Sequence, residues 1–247
     1  MQGAGLILTS YQDSLMRAMD ITANNIANVN TTGYKRESVA FDTYLVRPEP
    51  TATYQFGIEH GTYRDSAQGP TLMTGNPLDV AIQGSGYLAV QTPNGIRYTR
   101  TGALQLNSEG EIVTAAGNQV LGDGQQPISL PSDAEEIVIA TDGTISAKTG
   151  ANATTIQVGK LTLVKFANEQ ALSPIGNNLY ASNESPEIET ESKIVQGAIE
   201  QSNVQSVTEM TRMIDVSRTY QQVVRLLELE NQRQTTAIER LGKSTAA

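Results

Sequence analysis

The sequence predicts an α+β protein. Long N- and C-terminal helices pack as a coiled-coil-like α domain, and a central antiparallel β-rich domain lies between them in the chain. Three observations carry this expectation. Both ends of the chain run without Pro or interior Gly on a helical apolar period, the middle is punctuated by Gly-containing turns, and bulky core residues are scarce. Aromatic residues make up 5% of the 247 and there is no Trp, so part of the apolar surface is expected to be buried against other chains.

The N-terminal segment, 1–33, is read as one helix from Leu6 to Val29. Leu8, Leu15, Thr22 and Val29 recur every seven residues, and Met19 and Ile26 widen the stripe. Such a helix spans roughly 35 Å. Asn28, Asn30, Thr31, Thr32 and Gly33 supply the polar and glycine residues that end it. Segment 34–75, with Pro48 and Pro50 and no sustained period, reads as an extended connector.

Segment 76–190 is expected to be the β-rich domain. Residues 78–82 and 87–90 are strand candidates separated by Gln83-Gly84-Ser85-Gly86, and Asn94-Gly95 is a hairpin signal. Residues 104–106, 112–113, 120–121, 137–139, 144–145 and 161–164 continue the rhythm, with turns at Gly110, Gly117 and Gly143. Brief turns join antiparallel neighbours, whereas parallel strands need long crossovers.

The last segment, 191–247, holds a run from Val204 to Leu241 with neither Pro nor Gly, a helix of roughly 57 Å. Met213, Val216, Tyr220, Val223, Leu227, Gln234, Ala237 and Leu241 follow a seven-residue repeat, and Met210, Ile214, Val224 and Ile238 form a second seam. Two seams require more than one packing neighbour. The N-terminal helix is long enough to cover only about half of this one, so the remainder is expected to pack against other molecules. The expected assembly interface is Leu8, Leu15, Met19, Asn24, Asn25, Ile26, Asn28, Met213, Tyr220, Val223, Val224 and Leu227.

The same reading excludes several classes. A formal net charge of −9, with no basic cluster beyond Lys35-Arg36, argues against nucleic acid. The chain has no Cys and a single histidine, His60, so neither a thiolate zinc site nor a paired-His site can be built from it. Gly84-Ser85-Gly86 lacks the glycines two residues either side of Ser that a nucleophile elbow needs. Gly122-Asp123-Gly124 lacks the alternating carboxylates of a calcium loop. Glu135 and Glu136, adjacent on a strand, point to opposite faces. No catalytic, cofactor or metal site is predicted. No apolar run approaches a membrane span, and the first residues lack the features of a cleaved secretory signal. Pattern alone gives a soluble cytoplasmic protein, unless export uses a signal that is not cleaved.

Ala23-Asn24-Asn25-Ile26-Ala27-Asn28, followed by Thr32-Gly33-Tyr34-Lys35-Arg36, resembles the signature of flagellar axial proteins of the rod and hook class. Gly75-Asn76-Pro77-Leu78-Asp79-Val80-Ala81-Ile82, Tyr98-Thr99-Arg100-Thr101-Gly102-Ala103, and Ser202-Asn203-Val204 ahead of Glu209-Met210 resemble the same family in its order. Within the class, the length and Val120-Leu121-Gly122-Asp123-Gly124 are more similar to proximal than to distal rod members. The resemblance implies a non-enzymatic subunit of the bacterial basal-body rod. Such a subunit leaves through the flagellar type III export machinery without signal cleavage. It then polymerises in the periplasm with copies of itself and other rod subunits into a shaft that transmits torque. In physical terms, Asn24, Asn25 and Asn28 lie on adjacent turns and are expected to hydrogen-bond across a helix interface or at its end. Two alternatives stand beside this reading: a distal rod or hook subunit, and a β-rich ligand- or carbohydrate-binding module with a helical oligomerisation tail. Three Phe and nine Tyr give the latter modest sugar-stacking capacity.

Overall fold

The computed structural model describes residues 2–49, 52–149 and 154–244; Pro50 therefore lies outside the described residues. The chain forms two compact units. Unit 1 combines Met1–Ala27, Glu37–Arg64 and Gln205–Ala247, and unit 2 combines Asn28–Arg36 with Asp65–Val204.

In unit 1, α1 runs over Gln2–Ala27 and α2 over Ser206–Ser244. They pack together antiparallel: the Gln12 Nε2 donates to the Tyr220 hydroxyl at 3.0 Å, and the Asn25 Nδ2 to the Glu209 Oε2 at 3.3 Å. Among the described residues no helix is long and apolar enough to cross a membrane. The segment expected as a connector holds a hairpin of β1, Glu37–Glu49, and β2, Ala52–Arg64, which packs on α1. At the register shift between Ala40 and Phe41 the extra residue is His60 of β2, which inverts the in-out phase partway along that strand and removes the sustained two-residue period by which a strand is recognised.

Unit 2 is antiparallel throughout. It opens with β3, Thr71–Met73, and β4, Val80–Gln83. A nine-stranded sheet begins with β5, Tyr87–Thr92; β6, Gly95–Thr99; β7, Leu104–Leu106; β8, Ile112–Thr114; and β9, Gln119–Val120. A separate three-stranded meander follows, of β10, Ala134–Ile139; β11, Thr144–Thr149; and β12, Thr154–Lys160. The main sheet is completed by β13, Leu163–Lys165; β14, Ser173–Pro174; β15, Leu179–Ala181; and β16, Glu187–Ile188. Its path is β14-β15-β6-β5-β9-β8-β7, with β13 bridging β5 and β16. The chain then returns to its start, β17 (Lys193–Gln196) pairing with β4 and β18 (Ala198–Glu200) with β3. Strand structure thus continues to Glu200, past the boundary expected at 190, and α2 begins only at Ser206.

The strands close over an aliphatic core that includes Val80, Leu88, Ile112, Val120, Ile145 and Ile194, each essentially inaccessible to solvent. Each such side chain contributes about 1.5–3 kcal/mol on burial. A second cluster is built on aromatics, where Tyr87, Tyr98, Phe166 and Tyr180 meet edge to face at centroid separations of 4.7–6.0 Å.

Gly102 lies so close to the β4 backbone that an added Cβ would fall 1.7 Å from the Val80 carbonyl oxygen. Its own carbonyl accepts from the Val80 N–H at 2.9 Å. Gly102→Ala is therefore expected to destabilise unit 2 by about 3 kcal/mol or more, read as a lowered thermal midpoint.

Candidate assembly interface

The helix period leaves the predicted apolar interface residues of α1 and α2 buried or half-buried. On α1, Leu15 is buried and Leu8, Met19 and Ile26 are half-buried. On α2, Val223 is buried and Met213, Tyr220, Val224 and Leu227 are half-buried. Much of this stripe is thus satisfied within one chain. The side chains of Ile238 and Leu241 lie outside the described residues.

The three asparagines do not act as one group. Asn25 is buried and serves as a junction. Its Oδ1 accepts from the Glu37 N–H at 3.0 Å, and its Nδ2 donates to the Glu37 carbonyl at 2.7 Å and to the Glu209 carboxylate. One amide side chain therefore holds the end of α1, the start of β1 and the first turns of α2. Asn24 is exposed, and Asn28, half-buried, accepts from the Thr31 hydroxyl at 3.1 Å in the turn that leaves α1. Asn25→Ala would leave both backbone groups of Glu37 without this partner, a cost of about 1–3 kcal/mol. Hydrogen exchange at the Glu37 amide is expected to quicken in that variant.

Other apolar side chains on the helices stay in solvent. Val207, Met210 and Ile214 are at least half exposed on the first turns of α2, as are Leu226 and Leu229 further along. Of these, the second seam anticipated Met210 and Ile214, while Leu226 and Leu229 escaped notice because they fall on neither seven-residue repeat. With Gln12 opposite Tyr220, the first turn of α1 comes level with about residue 230 of α2, and residues 231–237 are all exposed. A long helix with apolar side chains left in solvent is the geometry of a subunit that associates with other chains.

Unit 2 contains a site that pattern reading missed. Glu200, 1% exposed, accepts from the Lys35 ammonium at 2.7 Å through Oε1, and from Nε and Nη2 of Arg100 at 3.0 and 2.9 Å through Oε2. The Gly69 N–H adds a further bond at 3.0 Å. Burial alone would raise the Glu200 pKa, but Arg100 and Lys35 outweigh it and hold the carboxyl below its usual range. Burial, helped by Arg100, lowers the Lys35 pKa against the pull of Glu200. Gly33, at φ +68°, allows this packing: an added Cβ would stand 2.7 Å from the Arg100 carbonyl carbon. Asn203 completes the arrangement, accepting from the Arg36 N–H and donating to the carbonyls of Asp65 and Ala67. The signal was present in the sequence as the stretches containing Lys35, Arg100 and Asn203; Glu200, the common partner of Lys35 and Arg100, lies outside all of them.

A hollow of about 530 Å³ in unit 2 is lined by Thr31, Thr32, Thr99, Thr101, Asn177 and Asn178 among others, with no aromatic or charged side chain in its lining. Such walls offer a sugar ring no stacking platform.

Three family descriptions match: "Flagella basal body rod protein" over residues 14–35, "Flagellar hook protein FlgE/F/G D1 domain" over 81–147, and "Flagellar basal body rod FlgEFG protein C-terminal" over 195–240. The flagellar basal-body rod protein FlgF of Caulobacter vibrioides is 38% identical over 249 residues, spanning 98% of this chain and 99% of the relative. FlgF of Mesorhizobium japonicum is 32% identical across 99% of this chain and all of the relative. The rod protein FlgG of Agrobacterium fabrum is 33% identical, over 87% of this chain and 90% of its own length. The chain belongs to the flagellar basal-body rod protein family. It is a structural rod subunit of the basal body, and its family is not enzymatic.

Proposed function

We propose that this chain is a proximal-type rod subunit that polymerises through α1 and α2, packed in coiled-coil fashion with those of neighbouring subunits, into the shaft that carries torque. Two observations carry this reading: α2 outruns α1, leaving residues 231–237 exposed, and within the overlap Met210, Ile214, Leu226 and Leu229 face solvent. Four such side chains, at about 1.5–3 kcal/mol each when covered, offset much of the cost of ordering a subunit in the polymer. The proximal assignment is supported by the FlgF relatives matched from end to end. Export through the flagellar type III machinery without signal cleavage, and residence in the periplasm-spanning rod, follow from the same reading.

The test is to purify basal bodies and probe them for this chain by mass spectrometry. The expected result is the intact N-terminal peptide in the rod fraction, with the chain lost from rods of strains lacking earlier rod subunits. Its absence from basal bodies of swimming cells would overturn the proposal.

A further inference from the structure

The outward faces of the two helices carry opposite charge in matched spacing. On α1, Asp13 and Asp20 are exposed and lie about 160° and 140° around the helix from the buried Leu15. On α2, Arg218 and Arg225 are exposed and lie about 160° and 140° from Tyr220, which faces α1. The acidic pair and the basic pair are each seven residues apart, two helical turns. Apolar side chains flank both: Leu6 and Met16, 67% and 46% exposed, on α1, and Leu226 and Leu229, 50% and 52% exposed, on α2. Among the described residues none of the four charged groups makes an ion pair within the chain.

We infer that, in the assembly proposed above on which this rests, the outer face of α1 in one copy docks on the outer face of α2 in a second copy, Asp13 meeting Arg225 and Asp20 meeting Arg218. The two faces differ from one another, so the contact is heterologous and propagates instead of closing a dimer. In a polymer whose axis follows the helix pair every copy points the same way, and α1 of one copy stays antiparallel to α2 of the next. The antiparallel register then puts Arg17 opposite Gln221 and Asp215 opposite Ala23, so no like charges meet. The exposed leucines and Met16 supply the apolar contact, and the charges set register and reject slipped neighbours.

The test uses the full chain in its host, with Asp13→Arg, Arg225→Asp and the two combined. These side chains are solvated, so all three variants are expected to melt as the parent does. Each single reversal is expected to lower the chain recovered in basal bodies roughly fivefold and to shrink swimming haloes, and the double reversal to restore both. Because the chain has no cysteine, Asp20→Cys combined with Arg218→Cys gives a second reading. Both positions face away from the intrachain seam, so oxidation is expected to yield covalent multimers. Single reversals that behave as the parent, a double reversal no better than the worse single, or only monomers on oxidation would overturn the pairing. None of these outcomes coincides with failure of the rod assignment, in which the parent chain itself is missing from basal bodies.

Discussion

Replacing Glu200 by Gln is expected to lower the thermal midpoint of unit 2 by about 10 °C or more. The carboxylate is enclosed with two cations, the Lys35 ammonium and the Arg100 guanidinium, and its removal leaves both buried without the counter-charge they share. Breaking such a pair from one side costs about 3–5 kcal/mol, and in a domain of this size each kcal/mol shifts the midpoint by about 2–4 °C. Lys35→Met is expected to cost much less, because Glu200 keeps both bonds to Arg100. Combining it with Glu200→Gln removes one orphaned cation and is expected to recover part of the loss. The pH dependence follows from the lowered Glu200 pKa. A carboxyl whose folded pKa lies below its unfolded value contributes stability that is full above the unfolded pKa, about 4.3, and is lost as pH falls through the folded one. Thermal melts between pH 7 and pH 2 are therefore expected to steepen below about pH 4 in the parent and to flatten in the Gln variant.

Leu227→Asp is expected to reduce incorporation into rods about tenfold or more while unit 2 keeps its melting transition. Leu227 is half-buried on the face of α2 that carries Val223 and Tyr220, so a carboxylate there must be desolvated or must force the helices apart. A penalty of about 2–3 kcal/mol per subunit exceeds the roughly 1.4 kcal/mol that a tenfold change in association requires. Quantifying the chain in purified basal bodies, beside a melt of the soluble protein, separates the two effects. Normal motility with normal incorporation would count against this helical face as an assembly element.

The parts of this structure legible in the sequence are those fixed by local periodicity. The heptads through Leu8, Leu15 and Thr22, and through Met213, Tyr220 and Leu227, specified both helices, and the Gly-containing turns specified most strands of the main sheet. The β1–β2 hairpin was not legible, because the extra residue His60 in β2 breaks the alternation that marks a strand. The Lys35–Glu200–Arg100 cluster was not legible for a different reason: its members stand 165 and 100 residues apart, and a lone Glu near the end of a strand looks like any solvated carboxylate. Asn25 was singled out, but as one of three equivalent residues. Only the arrival of Glu37 and Glu209 beside it makes it a junction and leaves Asn24 on the surface.

If this chain works in the rod through its terminal helices, deleting its gene abolishes flagella and swimming, and both return with the full chain and not with one lacking residues from Val204 onward. Intact flagella and normal swimming in the deletion strain would contradict that role.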